Sequence, residues 1–203
     1  MRIRTAQFLR SSPGAKHLPP AHLPEYAFMG RSNVGKSSLI NLLCGNQKLA
    51  KVSSVPGKTT TINHFLVNKA WYLADFPGYG YARRAKEIRS QWTLFISEYL
   101  SSRKNLVAVF ILIDVSIPPQ EKDMDFIDFT GSKNIPLVIL LTKSDKVKRS
   151  GLRTNIEQFK RALSQTWEEL PPMIVTSSVE KTGREEILDY IDEMNHVFAK
   201  RKK

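Results

Sequence analysis

Short continuous runs of apolar residues recur along this 203-residue chain and predict strands that are buried inside a sheet. These runs cover residues 26–29, 106–113, 136–141 and 173–175. Two further strand-like runs, 62–67 and 70–74, are joined at Asn68 and Lys69. Because so short a connection suits a tight turn, these two runs are expected to form a hairpin.

Between the runs, apolar residues recur at every third or fourth position, which predicts amphipathic helices. Such segments lie at residues 39–43, 88–99, 119–131 and 154–167. A last helix is expected to begin at Thr182, because Glu185 completes a capping box three residues later. The alternation predicts an α/β fold with a mostly parallel six-stranded sheet, one antiparallel edge strand and helices on both faces. In such sheets, ligands bind at the carboxyl ends of the strands.

The composition divides the chain into a central domain and two basic ends. No acidic residue precedes Glu25, and residues 11–24 are rich in Pro, Ser, Gly and Ala. We therefore expect residues 1–24 to be a basic arm or linker, residues 25–199 to be a single domain, and residues 200–203 to be a basic tail.

An apolar content of 41% and a charged content of 25% are typical of a soluble globular protein. The single cysteine, Cys44, excludes an internal disulfide and favours a reducing compartment. The longest apolar run, 106–113, is too short to span a bilayer, and the start of the chain does not resemble a secretory signal. We expect a cytoplasmic monomer without a membrane partner.

The formal net charge of +12 favours association with polyanions, although solvated surface charge is the alternative for any one cluster. Besides the two ends of the chain, basic residues cluster in two segments expected near the carboxyl edge of the sheet. These clusters are Arg83, Arg84 and Lys86, and Lys143, Lys146, Lys148, Arg149 and Arg153.

Residues 30–37 read GRSNVGKS, between a predicted strand and a predicted helix, which is the context of a phosphate-binding loop. Gly30 and Gly35 allow the backbone to curl so that several N–H groups point at one phosphate chain. Lys36 is placed to reach the outer phosphates, and the Ser37 hydroxyl is placed to bind Mg2+. The alternative is a glycine turn before a helix.

Two later segments supply candidate metal and phosphate contacts. Asp75 begins DFPG at the end of a predicted strand, where its carboxylate can hold Mg2+ through water and the N–H of Gly78 can meet a terminal phosphate. In the loop before the hairpin, Thr59 could bind the metal and the outermost phosphate, and Thr60 or Thr61 could take this role instead.

The identity of the base is predicted from Thr142, Lys143, Ser144 and Asp145, which follow another predicted strand. An ionised Asp145 can accept two hydrogen bonds from the ring N–H and the amine of guanine, whereas adenine lacks that donor pair. Lys143 can lay its aliphatic stem along the base. A common form of this motif is NKxD, and Thr142 in place of the asparagine is expected to weaken the tie to the phosphate loop.

In this order, the motifs make the chain similar to the translation-factor-class GTPases. Among these it most resembles the EngB proteins, also called YsxC or YihA, which are ribosome-biogenesis GTP-binding proteins. The shared signatures are GRSNVGKSSLIN, PGKTxxIN, DFPGYGYA and TKSD, so the threonine is the family's own pattern. The resemblance implies a P-loop NTPase with a Ras-like G domain that binds GTP or GDP. It also implies a role in assembling the large ribosomal subunit and in normal cell division and septation.

The resemblance also implies a set of nucleotide contacts and Mg2+ as cofactor. Ser37 and Thr59 are implied as Mg2+ ligands, joined by Asp75, and the catalytic contacts are expected from Lys36, Thr59 and Gly78. The implied nucleotide contacts are Gly30, Arg31, Ser32, Asn33, Val34, Gly35, Lys36, Ser37, Gly57, Lys58, Thr59, Thr60, Thr61, Asp75, Phe76, Pro77, Gly78, Thr142, Lys143, Ser144, Asp145, Thr176, Ser177 and Ser178.

One expected catalytic part is missing. In a Ras-like enzyme, the glycine that corresponds to Gly78 is followed by a glutamine, and this glutamine orients the attacking water. This chain has Tyr79 at that position. We therefore expect slow hydrolysis that ribosomal particles or K+ accelerate. Potassium is considered because potassium-dependent relatives carry an asparagine at the position of Asn33. The alternative function is a GTP-gated RNA-binding module with negligible turnover.

Overall fold

The computed structural model describes residues 1–51, 61–79 and 86–201, and within it the side chains of residues 86–92 are not described. The described strands are β1 (Ala6–Ser12), β2 (Glu25–Gly30), β3 (Ile62–Val67), β4 (Trp71–Asp75), β5 (Leu106–Asp114), β6 (Leu137–Thr142) and β7 (Met173–Val175). The described helices are α1 (Lys36–Cys44), α2 (Lys86–Ser102), α3 (Glu121–Gly131), α4 (Arg149–Leu163) and α5 (Arg184–Arg201).

The strands form one sheet in the order β1-β3-β4-β2-β5-β6-β7. Strand β3 runs antiparallel to β1 and β4, and the other neighbouring pairs are parallel. The α/β fold and the mostly parallel sheet are therefore confirmed. The count of six strands is wrong, because β1 adds a seventh strand outside the antiparallel one.

Strand β1 lies in the segment that was predicted to be an arm, so that prediction is wrong for this part of the chain. Five of its seven residues are exposed, and an exposed edge strand carries little of the apolar pattern by which strands are recognised. A polar clamp holds its start instead: the Asn68 side chain accepts the N–H groups of Arg4 and Thr5 at 2.7 and 3.1 Å. Its amide also donates to the Arg2 carbonyl at 2.8 Å.

Helices cover both faces of the sheet, as the alternation of elements predicted. In β2, Tyr26 and Phe28 face α1 and α5, whereas Ala27 and Met29 face the side covered by α2, α3 and α4. All four of these side chains are buried. Because both faces are apolar, β2 reads in the sequence as a continuous run rather than as an alternating one.

Two helix starts differ from those expected. Helix α4 begins at Arg149, five residues before the predicted start, so Arg149 and Arg153 belong to the helix. Helix α5 begins at Arg184, after Gly183 with a φ of +76°, and Glu185 pairs with the Arg184 guanidinium. The capping box at Thr182 therefore does not define this start.

None of the described helices combines the length and the apolar composition that a membrane span requires.

A buried carboxylate lies at the amino end of β2. The Arg103 guanidinium donates two hydrogen bonds to Glu25, at 2.8 and 2.7 Å, and the Tyr99 hydroxyl donates a third. The Nε2 atom of His64 lies 3.6 Å from the same carboxylate. Burial alone would raise the pKa of Glu25, but the hydrogen bonds and charges of Arg103 and His64 outweigh it and lower the pKa from 4.5 to about 2. This cluster joins β2, β3 and α2.

Replacing the arginine of this cluster should destabilise the fold strongly. The substitution Arg103→Met leaves the Glu25 carboxylate buried and without its main partner, so the free energy of unfolding should fall by about 3–5 kcal/mol. Urea denaturation measures this loss. The exposed Arg161→Met in α4 is the matched control, and an equal effect of both substitutions would contradict the assignment.

The same cluster predicts a dependence of stability on pH. Because the pKa of Glu25 is lowered from 4.5 to about 2 in the folded chain, its stabilising contribution is complete above pH 4.5 and is lost as the pH falls toward 2. Across this window the unfolding free energy of the wild type should fall more steeply than that of Glu25→Gln. Parallel curves for the two proteins would rule out this contribution.

Candidate nucleotide-binding site

The backbone of the loop between β2 and α1 is tightly curled. Gly35 and Asn33 have φ values of +103° and +64°, in the left-handed region that glycine and asparagine tolerate best. A Cβ atom on Gly30 would lie 2.8 Å from Val34 and 3.0 Å from the Leu112 carbonyl. The sequence therefore needs glycine at residue 30 for close packing and at residue 35 for backbone conformation. The amino end of α1 consequently lies at the carboxyl edge of the sheet.

Two charged side chains meet beside this loop. The Lys36 ammonium pairs with the Asp75 carboxylate, and both side chains are about one-tenth exposed. Helix α1 supplies Lys36 from its first residue, and β4 supplies Asp75 from its last. The predicted phosphate contact and the predicted metal carboxylate therefore lie next to each other.

The oxygen donors beside Lys36 fit a hard cation. Asp75 offers a carboxylate and Ser37 a hydroxyl at the start of α1, and Mg2+ prefers oxygen ligands of this kind. Over the described ranges, no group of three or more His, Cys, Asp or Glu residues could hold a metal by itself. A site that completes its shell with phosphate and water, as Mg2+ sites commonly do, needs no such group.

The DFPG segment lies directly on the phosphate loop. The Phe76 N–H donates to the Phe28 carbonyl at 3.1 Å, and the Tyr79 N–H donates to the Gly30 carbonyl at 3.2 Å. A Cβ atom on Gly78 would lie 2.7 Å from both the backbone nitrogen and the hydroxyl of Ser32. Only glycine therefore fits at residue 78, so the missing side chain is a packing requirement as well as a candidate phosphate contact.

The residue that follows Gly78 is turned toward α3. The Tyr79 ring stacks on Phe126 with 4.1 Å between ring centroids, and its hydroxyl donates to Asp123 at 3.1 Å. The Nε atom of Arg31 lies 2.9 Å from the same Asp123 oxygen. Burial raises the pKa of Asp123, and the charge of Arg31 and the Tyr79 hydrogen bond oppose this shift. Sequence reasoning missed this cluster, because nothing in the local pattern links Tyr79 to a residue 44 positions away.

At the other end of the loop, Thr142 ties β6 to the phosphate loop. Its hydroxyl lies 2.7 Å from the Val34 carbonyl and 3.0 Å from the Ile113 carbonyl. Threonine thus supplies a short, buried hydrogen bond to the loop. The tie to the loop is therefore present, and its expected weakness relative to asparagine stays a prediction.

Asp145, the candidate base reader, is oriented by a serine that lies just after β7. The Ser177 hydroxyl donates to Asp145 at 2.6 Å, and its oxygen accepts the N–H groups of Val179 and Glu180 at 3.2 and 3.0 Å. The Ser144 N–H also donates to the Thr176 carbonyl at 3.3 Å. Sequence reasoning placed Thr176, Ser177 and Ser178 among the implied nucleotide contacts, but it missed the bond from the Ser177 hydroxyl to Asp145.

Lys143 is held beside the reader by a second aspartate. Its backbone is left-handed, with a φ of +62°, and its ammonium donates to Asp114 at 2.6 Å. Burial would raise the pKa of Asp114, but hydrogen bonds from Lys143 and Ser116 outweigh it, so the pKa is lowered. Sequence reasoning did not select Asp114, although an aspartate that ends a buried strand is a recognisable signal.

The predicted site residues that the structure describes gather at one edge of the sheet, at the ends of β2, β4, β6 and β7. Ser178 lies in the turn after β7, and Thr61 lies just before β3. Gly57, Lys58, Thr59 and Thr60 lie outside the described residues. The individual roles in binding and catalysis stay predictions.

The tie between Thr142 and the loop can be tested with an isosteric change. Thr142→Val leaves the Val34 carbonyl buried without its donor, so the free energy of unfolding should fall by about 1–3 kcal/mol. Binding of GDP should weaken as well, because Val34 belongs to the phosphate loop. Urea denaturation and calorimetric titration measure the two effects. The exposed Thr154→Val in α4 is the control, and unchanged values for Thr142→Val would refute the tie.

Comparison with known proteins agrees with this geometry. Residues 25–143 match the family model described as "50S ribosome-binding GTPase". The chain is 49% identical to the "Probable GTP-binding protein EngB" of Porphyromonas gingivalis, over 98% of this chain and 99% of the relative. It is 48% identical to the protein of the same description from Bacteroides thetaiotaomicron, over the full length of both.

Solved structures share the fold. A probable GTP-binding protein EngB covers 85% of this chain and 98% of its own, with a TM-score of 0.67 and 24% identity. The bacterial selenocysteine-specific elongation factor EF-Sec covers 86% of this chain and 29% of its own, with a TM-score of 0.59 and 17% identity. A phosphate loop tied to a candidate guanine reader and these near-full-length relatives lead to one conclusion: the chain belongs to the EngB family of GTP-binding proteins within the GTPases.

Proposed function

We propose that this protein is a GTP-dependent switch that acts in assembly of the large ribosomal subunit and is needed for normal cell division and septation. The observation that carries the proposal is the joining of the phosphate loop to the candidate guanine reader. Thr142 bonds the loop at Val34, and three residues later Asp145 is oriented by Ser177. We place the switch in the cytoplasm as a monomer.

The phosphate end of the site attracts and orients the nucleotide. The loop amides and the amino end of α1 favour negative charge, and Lys36 adds a point charge for the outer phosphates. Ser37 and Asp75 would hold Mg2+ together with Thr59, and the bound ion would neutralise charge on the phosphates. The Lys36–Asp75 contact keeps both charges compensated and in place at the mouth of the loop.

The base end of the site selects guanine. The Ser177 hydrogen bond fixes one oxygen of Asp145, so the carboxylate would meet the N–H and amine of the base in a defined orientation. Lys143, with its ammonium held by Asp114, lies where its stem can cover the base. A buried acceptor that the wrong base leaves unpaired can discriminate by as much as ~10⁴, which is ample for GTP over ATP.

GTP hydrolysis is proposed to be slow without an activating particle or cation. The position after Gly78 carries Tyr79, whose hydroxyl donates to Asp123 and whose ring packs on Phe126. Turned toward α3 in this way, Tyr79 does not replace the glutamine that orients the attacking water. A ribosomal particle, or K+ bound near Asn33, would supply the missing contribution.

An exposed basic surface supports a ribosomal RNA partner. Lys146, Lys148, Arg149 and Arg153 are all exposed and follow Asp145 directly in the chain. Since α4 begins at Arg149, the positive end of its helix dipole adds to these four charges. Phosphate backbones are the polyanions that such a surface binds, and its position next to the base reader would link docking to the nucleotide.

Replacing the base reader tests the nucleotide part of the proposal. Asp145→Asn should lower the affinity for GTP and GDP sharply, because one acceptor oxygen becomes a donor, while the weak binding of ATP should change little. Calorimetric titration with the three nucleotides measures the loss of guanine preference. Asp189→Asn, an exposed change in α5, is the matched control. A guanine preference that survives in Asp145→Asn would refute this role.

Single-turnover hydrolysis tests the switch against the alternative. Large-subunit particles should accelerate hydrolysis toward ~10³-fold, the lower end of what a group supplied in trans contributes. Small-subunit particles are the control, and parallel runs in potassium and sodium buffers test the cation. Binding of the particles without acceleration in either buffer would favour the second candidate function, a GTP-gated RNA-binding module.

A further inference from the structure

Arg31, Tyr79, Asp123 and Phe126 form a cluster that we call the Tyr79 clamp. The Tyr79 hydroxyl and the Arg31 Nε atom both approach one Asp123 oxygen, at 3.1 and 2.9 Å. The Asp123 residue is 1% exposed, so its carboxylate depends on these partners rather than on water. The Phe126 ring covers one face of Tyr79.

The clamp holds Tyr79 at three separate points. Its hydroxyl is fixed by Asp123, its ring by Phe126, and its backbone N–H by the Gly30 carbonyl at 3.2 Å. Two of these points belong to α3, and the third belongs to the end of β2. Gly78, the residue before Tyr79, is therefore bonded to a residue whose position is set both by α3 and by the phosphate loop.

That preceding residue is Gly78, which lies against Ser32 of the phosphate loop. The fit leaves no room for a Cβ atom, and because Gly78 is bonded to Tyr79, we expect a movement of Tyr79 to shift the Gly78 backbone against the loop. A hydrogen bond from a backbone N–H weakens steeply when its direction changes. The orientation of the Gly78 N–H is thus sensitive to the side chains that hold Tyr79.

We propose that Tyr79 and Asp123 are positioning residues that aim the Gly78 N–H at the terminal phosphate and so set the preference for a nucleoside triphosphate over the diphosphate. This rests on the proposed contact between Gly78 and that phosphate. A diphosphate lacks the group that Gly78 would meet, so the clamp acts on triphosphate affinity and leaves diphosphate affinity nearly unchanged. The clamp contributes only by positioning Gly78. In this proposal, the side chains of Tyr79 and Asp123 do not touch the nucleotide.

The test removes the clamp's hydrogen bond with one variant and removes the charge of its acceptor with the other. Tyr79→Phe keeps the ring on Phe126 and deletes the hydroxyl, and Asp123→Asn keeps the shape and deletes the charge. Calorimetric titration with a non-hydrolysable GTP analogue and with GDP gives two affinities for each variant. We expect about tenfold weaker binding of the analogue, the scale of a hydrogen bond to a charged group, and less than about twofold change for GDP.

Two matched controls and a double variant separate positioning from a general loss of structure. Asp125→Asn changes an exposed aspartate of the same helix, and Tyr190→Phe removes a phenol hydroxyl from α5. Neither should change the ratio of the two affinities. Because both clamp variants act on the same hydrogen bond, the double variant should lose less than the sum of the two single losses. Additive losses, or equal losses for the analogue and GDP, would overturn the proposal.

A third variant keeps this result distinct from the proposed phosphate contact. Gly78→Ala displaces the backbone at the contact itself and should lower the analogue-to-GDP affinity ratio at least as much as the clamp variants. A lowered ratio in Gly78→Ala with normal ratios in Tyr79→Phe and Asp123→Asn would overturn the clamp and leave the contact standing. A normal ratio in Gly78→Ala would overturn the contact and the clamp with it, while binding of both nucleotides would still support the GTP site.

Discussion

Strand β2 is buried along its whole length, and every residue from Glu25 to Gly30 lies inside the sheet. Its parallel neighbours β4 and β5 satisfy its backbone, and helices cover both of its faces. A strand in this position cannot shift without exposing apolar surface on two sides. The loop that follows Gly30 therefore starts from a rigid point, and the phosphate-binding geometry depends on that rigidity.

The same strand connects two charge clusters of different character. At its amino end, the Glu25 carboxylate is fully buried and compensated by Arg103, so removing one partner is costly while the pair itself adds little net stability. Beyond its carboxyl end, Lys36 and Asp75 are slightly more accessible and lie where a nucleotide would bind. The buried cluster secures α2 and β3 to the strand, and the Lys36–Asp75 pair lies at the candidate nucleotide site.

Local sequence patterns were sufficient where one segment contains all the information. The loop of residues 30–37 is defined by glycine backbone freedom and helix polarity, so its conformation could be predicted from eight residues. Strand β1 could not be predicted in this way, because an edge strand with few buried side chains is held by Asn68, which is more than 50 residues away. Two further hydrogen bonds likewise join distant segments, from Thr142 to Val34 and from Ser177 to Asp145. A threonine or serine in the sequence does not indicate which distant residue it will bond.

The sequence alone determined the α/β class, the phosphate loop, the candidate guanine reader and the absence of a glutamine after Gly78, because each depends on residue types at short, fixed spacing. Only the tertiary structure decided that the sheet has a seventh strand, that the Thr142 hydroxyl bonds the phosphate loop, and that Tyr79 is held by Asp123 against α3. The physical reason is that hydrogen bonds and ring contacts need close approach in space. That closeness arises from packing helices on both faces of the sheet, and it leaves no periodic signal along the chain.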